Sequence, residues 1–130
     1  MRRLGVVCAA LLMMGATWAT PSGPQLPTTI TLTCSVNTTL SGTYNVDEYM
    51  MTLLNSELLY YIANGSVFPN ATQVPAIADT SGAVHLFASI AALEAFYKVI
   101  AGMWIAVANY QNRLNAGQSP TYPSNTSTAC

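Results

Sequence analysis

Few side chains in this chain could do chemistry, and their spacing decides which chemistry is open. The single histidine, His85, has no Cys, Asp or Glu at metal-ligand spacing around it, so it reads as a solvent-facing or capping residue. Glu57 and Glu94 would make an acid pair only if folding brought them together, and nothing in the sequence does so. No Gly-rich phosphate loop appears, and no hydroxyl or thiol comes with a base that would activate it. The reading is a protein that is not an enzyme and holds neither metal nor cofactor.

The cysteines and asparagines carry a different chemistry, that of the secretory route. The first residues, MRRLGVVCAALLMMGATWAT, place Arg2 and Arg3 before an apolar run and end on small residues, the pattern of a signal peptide over 1–19. Cys8 leaves with it, and Cys34 and Cys130 remain as an even pair in an oxidising compartment. They are expected to bond to each other, which would remove about 4 to 5 kcal/mol of unfolded-chain entropy; the alternative is that Cys130 pairs with another chain. Asn-X-Ser/Thr signals stand at Asn37, Asn64, Asn70 and Asn125, none with Pro in the middle, and each marks an expected N-glycan on an exposed loop or helix end. Together these features predict a secreted, extracellular glycoprotein.

Without the leader, the basic side chains are Lys98 and Arg113, against Asp47, Glu48, Glu57, Asp79 and Glu94. A mildly acidic surface has no electrostatic footprint for nucleic acid. Proteins are the expected partners.

These residues need elements to position them. Segment 20–45 begins Pro-rich and then alternates in TTITLTCSV, an extended N-terminal segment with one strand pattern. That stretch also fits the second strand of an immunoglobulin domain, but the Trp a dozen residues on and the Tyr two before the second Cys are missing. From Val46 the period changes: Val46, Tyr49, Met50, Leu53, Leu54, Leu58, Tyr61 and Ile62 recur at three- and four-residue steps, predicting a helix capped by Asn45 and ended by Asn64 and Gly65. A long Pro-interrupted crossing follows, with Val67 and Phe68 tucked inward. Leu86, Ile90, Leu93, Tyr97, Ile100, Trp104, Val107 and Leu114 then predict a second helix over 83–114. The same stretch, 83–108, would suit a single membrane span, but Glu94 and Lys98 lie in its middle and each costs at least about 2.5 kcal/mol there. Membrane insertion is therefore not the favoured reading. Residues 116–130 read as a flexible tail.

NSELLYYIANGSVFPN, with its Leu58-Leu59-Tyr60-Tyr61, Gly65 and Phe68-Pro69-Asn70, resembles the end of the first helix and the start of the crossover in leukaemia inhibitory factor, oncostatin M and their relatives in the interleukin-6 group of cytokines. LFASIAALEAFYKVIAGMWIAVANYQNRLN is similar to that family's second helix, and Cys34 sits where members carry a disulfide cysteine. The resemblance covers 34–115. It implies an all-α fold, a long-chain four-helix bundle of cytokine type, here cut to two long helices with 46–115 as the cytokine-like region. It also implies a cell-surface cytokine receptor as partner, either the shared signal-transducing chain or the leukaemia inhibitory factor receptor type. The exposed side of the first helix contributes to docking in relatives; by pattern the candidates here are Asp47, Glu48, Met51, Asn55 and Leu59. The family's docking residues on the fourth helix have no counterpart. Two helices alone bury too little to be stable, so a homodimer, a core-completing partner or a shortened copy that folds poorly is expected; a shortened copy that occupied one receptor without recruiting the second would act as an antagonist. The reading from another class is a small secreted or surface glycoprotein with a structural or adhesive role.

Overall fold

The computed structural model of the chain describes residues 26–65, 68 and 74–130; the expected signal peptide and Asn70 lie outside them. Alternation sets the first element. In β1 (Thr29–Leu32), Ile30 and Leu32 are buried while the Thr31 hydroxyl meets that of Thr43 at 3.0 Å on the outer face. A 3-10 turn (Thr38–Leu40) returns the chain into β2 (Gly42–Asn45), antiparallel to β1 with Ile30 opposite Tyr44. Tyr44 is fully buried, its hydroxyl donates to the Leu40 carbonyl at 2.8 Å, and its ring meets Phe96 edge-on at 4.8 Å.

Asp47 opens α1 (Glu48–Ala63) by accepting from the Met50 N–H at 2.8 Å, so the cap falls two residues after the expected Asn45. Met50, Leu54, Leu58 and Tyr61 form its buried stripe. The stop is as read: Gly65 takes φ +79°, which a residue with Cβ resists. Phe68 packs against the core, its ring 4.8 Å from Tyr61; Val67 is outside the described residues.

β3 (Ala76–Ala78) and β4 (Val84–Leu86) form a hairpin. Asp79 shapes its turn, one carboxylate oxygen accepting from the Ser81 N–H and hydroxyl and from the Ala83 N–H. The second helix therefore starts later than its periodicity suggests. Ser89 caps α2 (Ile90–Asn115) by accepting from the Ala92 N–H at 3.1 Å, and Leu86, counted on the helix face, stands exposed on a strand. Leu93, Phe96, Ile100 and Met103 turn inward, and α2 packs on α1.

Residues 116–130, read as a flexible tail, return along the molecule. Tyr122 meets Tyr110 of α2 edge-on at 5.5 Å, and β5 (Thr126–Ser127) runs parallel to β1, taking the Thr31 and Thr33 N–H groups on the Asn125 and Ser127 carbonyls at 2.8 and 3.0 Å. The sheet order is β2-β1-β5. Cys34 and Cys130 are bonded within the chain, Cα atoms 4.8 Å apart, and both are buried.

Among the described residues the fold is thus α+β, two α-helices with a three-stranded mixed sheet and a two-stranded hairpin. This corrects the all-α, four-helix-bundle expectation. The physical reason is where the core gets its remaining wall. Ile30, Leu32, Leu40, Tyr44, Ile77 and Phe87, all outside the helices, are buried in one cluster with Leu54, Leu58, Leu93, Phe96 and Ile100. Each such side chain contributes about 1.5 to 3 kcal/mol by leaving water. Strands do here what two further helices would do in a bundle.

Candidate functional site

The exposed side of α1 is built by its own period. Glu48, Asn55 and Leu59 fall at steps that keep them on one stripe, continued by Ile62, and all four are exposed. Asp47 is exposed at the cap, with one carboxylate oxygen committed to Met50. Met51, grouped with these by pattern, stands apart from them: it is half-buried and packed against the core. Tyr49 and Ile62, counted on the inward face, point outward, Tyr49 being 74 % exposed. With Leu59 at 69 % and Tyr60 at 54 %, the helix shows a run of large apolar side chains to solvent. The sequence hid this because α1 is apolar on most of its circumference, so several stripes looked equally like the core face.

Three of the glycosylation signals, Asn37, Asn64 and Asn125, fall among the described residues. Asn37 is half-buried, and both its backbone N–H and its Nδ2 donate to the Cys130 carbonyl, the latter at 2.9 Å. Asn64 caps the C-terminal end of α1, Nδ2 donating to the Tyr60 carbonyl at 2.7 Å, and Asn125 is exposed beside β5. An N-linked sugar replaces one of the two amide hydrogens, so a modified Asn37 or Asn64 keeps one N–H for the bond it makes.

His85, read as solvent-facing or capping, is instead bracketed. Nδ1 lies 2.6 Å from the Thr39 carbonyl and Nε2 3.0 Å from the Asp79 carboxylate, with Tyr44 edge-on at 5.6 Å. The Thr39 carbonyl and the ionised Asp79 carboxylate can only accept, so both bonds are made together when the imidazole carries both its protons. The Asp79 hydrogen bond leads in holding its pKa above the ordinary value, while bonds from Ser81 and His85 hold the Asp79 carboxyl far below the usual carboxylate range. The signal for this pair was present in Asp79-Thr80-Ser81-Gly82, a turn sequence that brings residues six apart side by side.

Glu57 is the outlier among the carboxylates. It is half-buried on α1, its Oε2 has no hydrogen-bond partner among the described residues, and burial pushes its pKa up to about 7. Among the described residues no cluster of three His, Cys, Asp or Glu could hold a metal.

Two grooves flank these elements. One, of about 750 Å³, runs between α2 and the β5 segment over Ala95, Lys98, Gly102 and Ala106, with Ile30 beneath. The other, of about 420 Å³, lies between the first turns of α1 and β3 and is walled by Tyr49, Met50, Leu53, Ala76 and Ala78. One helix among the described residues, α2, is long and apolar enough to cross a membrane, and part of it is buried against the core. The chain matches no protein-family model, no curated protein and no solved structure.

Proposed function

We propose that this chain is a secreted glycoprotein that binds a cell-surface receptor of the cytokine class through the outer side of α1. The observation that carries the reading is the apolar exposure of Tyr49, Leu59, Tyr60 and Ile62 on one helix that Asp47 caps and whose first turn carries Glu48. Large apolar side chains exposed beside charge are the composition of docking surfaces, and they cost solubility when left uncovered. The local resemblance of the α1 end and the crossover start to the leukaemia inhibitory factor group supports a receptor of the shared signal-transducing type; it extends to the sequence of this segment and not to a bundle fold. The disulfide and the four Asn-X-Ser/Thr signals support the extracellular route.

The test is binding of the fluorescently labelled, secreted chain to cells with and without the shared receptor chain. Receptor-dependent binding is expected, and Leu59→Ala should weaken it about 5- to 30-fold, the range of a buried apolar anchor. Equal binding to both cell types, or recovery of the protein only in membranes, would defeat the reading.

A further inference from the structure

Among the described residues, the β3 edge of the hairpin beside α1 carries no further strand. Phe87 N–H donates to the Pro75 carbonyl at 3.2 Å and Asp79 N–H to the Ala83 carbonyl at 2.9 Å, with Ile77 opposite His85 between them. Bonded pairs alternate along an antiparallel ladder, so the N–H and C=O groups of Ala76 and Ala78 point away from β4. They have no backbone partner among the described residues. The 420 Å³ groove runs along this edge, with Tyr49, Met50 and Leu53 on its far wall and the exposed Val84 on the outer face of the hairpin.

Charge narrows the choice of occupant. Asp47 lines the groove, Glu48 follows it in the first turn of α1, and among the described residues no Lys or Arg lines the groove. The third acidic neighbour, Asp79, is already paired with His85. Of the glycosylation signals among the described residues, Asn37, Asn64 and Asn125, none lines the groove. An unpaired strand edge facing apolar side chains, with carboxylates at one end, suits an extended backbone better than a helix or a small molecule.

We infer that this groove takes an extended, cation-bearing segment of the partner protein, added beside β3 as a third strand of the hairpin. Its backbone bonds the free groups of Ala76 and Ala78. Alternate side chains rest on Tyr49, Met50 and Leu53, and a Lys or Arg at its end lies beside Asp47 and Glu48. The inference rests on the receptor-binding reading and names the segment of the receptor that is recognised.

The experiment is an NMR titration of the full, oxidised, ¹⁵N-labelled chain with two capped peptides, Lys-Val-Thr-Val-Thr-Val-Lys and its Glu-ended counterpart, to about 2 mM, since a single added strand binds weakly. The Lys peptide is expected to shift the Ala76 and Ala78 amides saturably, and the Glu peptide to bind at least about 5-fold more weakly. Ala78→Pro removes an N–H that bonds nothing within the fold, as edge positions tolerate, and should cost the Lys peptide about 10-fold. Tyr49→Ala, at an exposed position, should weaken it as well and serves if the Pro variant fails to fold. Shifts that are absent, centred on α2, equal for the two peptides, or indifferent to both substitutions overturn the inference. The titration uses no receptor, so an intact titration with lost cell binding removes the receptor reading, and the reverse removes the groove alone.

Discussion

Replacing Glu57 by Gln should stabilise the protein, and only above mildly acidic pH. The Glu57 carboxyl, ordinarily near 4.5, is pushed up to about 7 by burial, and its Oε2 has no hydrogen-bond partner among the described residues. At 1.36 kcal/mol per pH unit that gap is about 3 kcal/mol. The side chain is only half-buried, and solvent screening reduces the figure to about 1 to 2 kcal/mol. The sign follows from linkage. The folded state holds the proton more tightly than the unfolded chain, so this group's contribution is complete below 4.5, is lost as pH rises to about 7, and stays lost above it. Gln keeps the shape and never ionises. Thermal unfolding followed by circular dichroism at pH 4 and pH 8, on the oxidised chain, reads the difference. Wild type and Glu57→Gln should melt together at pH 4, and the variant should melt about 4 to 8 °C higher at pH 8. A variant that is less stable at pH 8, or equally shifted at both pH values, would refute the argument, because then the charge is stabilised by something other than the surroundings described.

Two further outcomes are expected. Replacing Cys34 and Cys130 by Ser opens a loop of sequence separation 96 and should cost about 4 to 5 kcal/mol in urea unfolding, with the Thr31 and Thr33 amides losing exchange protection as β5 detaches; unchanged stability would show that the strand holds without the bond. His85, the only histidine, should give one NMR titration curve with a midpoint above 6.5, and the stability it contributes should be whole below 6.5 and lost as pH rises through that midpoint; a midpoint below 6.5 would mean that one of its two hydrogen bonds is not made.

Local signals in the sequence were readable where one interaction dominated. The alternation of TTITLTC placed β1, Asn64 and Gly65 placed the end of α1, and the reading of Cys34 and Cys130 as a pair placed the disulfide. Signals that need a partner elsewhere were not. β3 and β4 are three residues each, too short for period two to outweigh the longer apolar pattern that follows, so Leu86 was absorbed into the helix. Ser89 was the available clue, a capping residue standing before a continuous apolar run. β5 has two residues and is held by β1 and the disulfide, neither of which composition reveals. On α1, Tyr49 and Ile62 went to the wrong face because burial there is decided by what strands and α2 cover, and the helix's own pattern does not say.

The bond between Cys34 and Cys130 also divides the molecule mechanically. It closes both helices, the hairpin, β2 and β5 into one covalent ring, yet β1, the middle strand of the sheet, precedes Cys34 and lies outside it. Tension applied between residue 26 and Cys130 therefore falls first on the backbone bonds of β1 and then stops at the sulfurs. The oxidised chain can lengthen only by the few residues before Cys34, roughly 30 Å at about 3.5 Å each, while everything inside the ring bears no load.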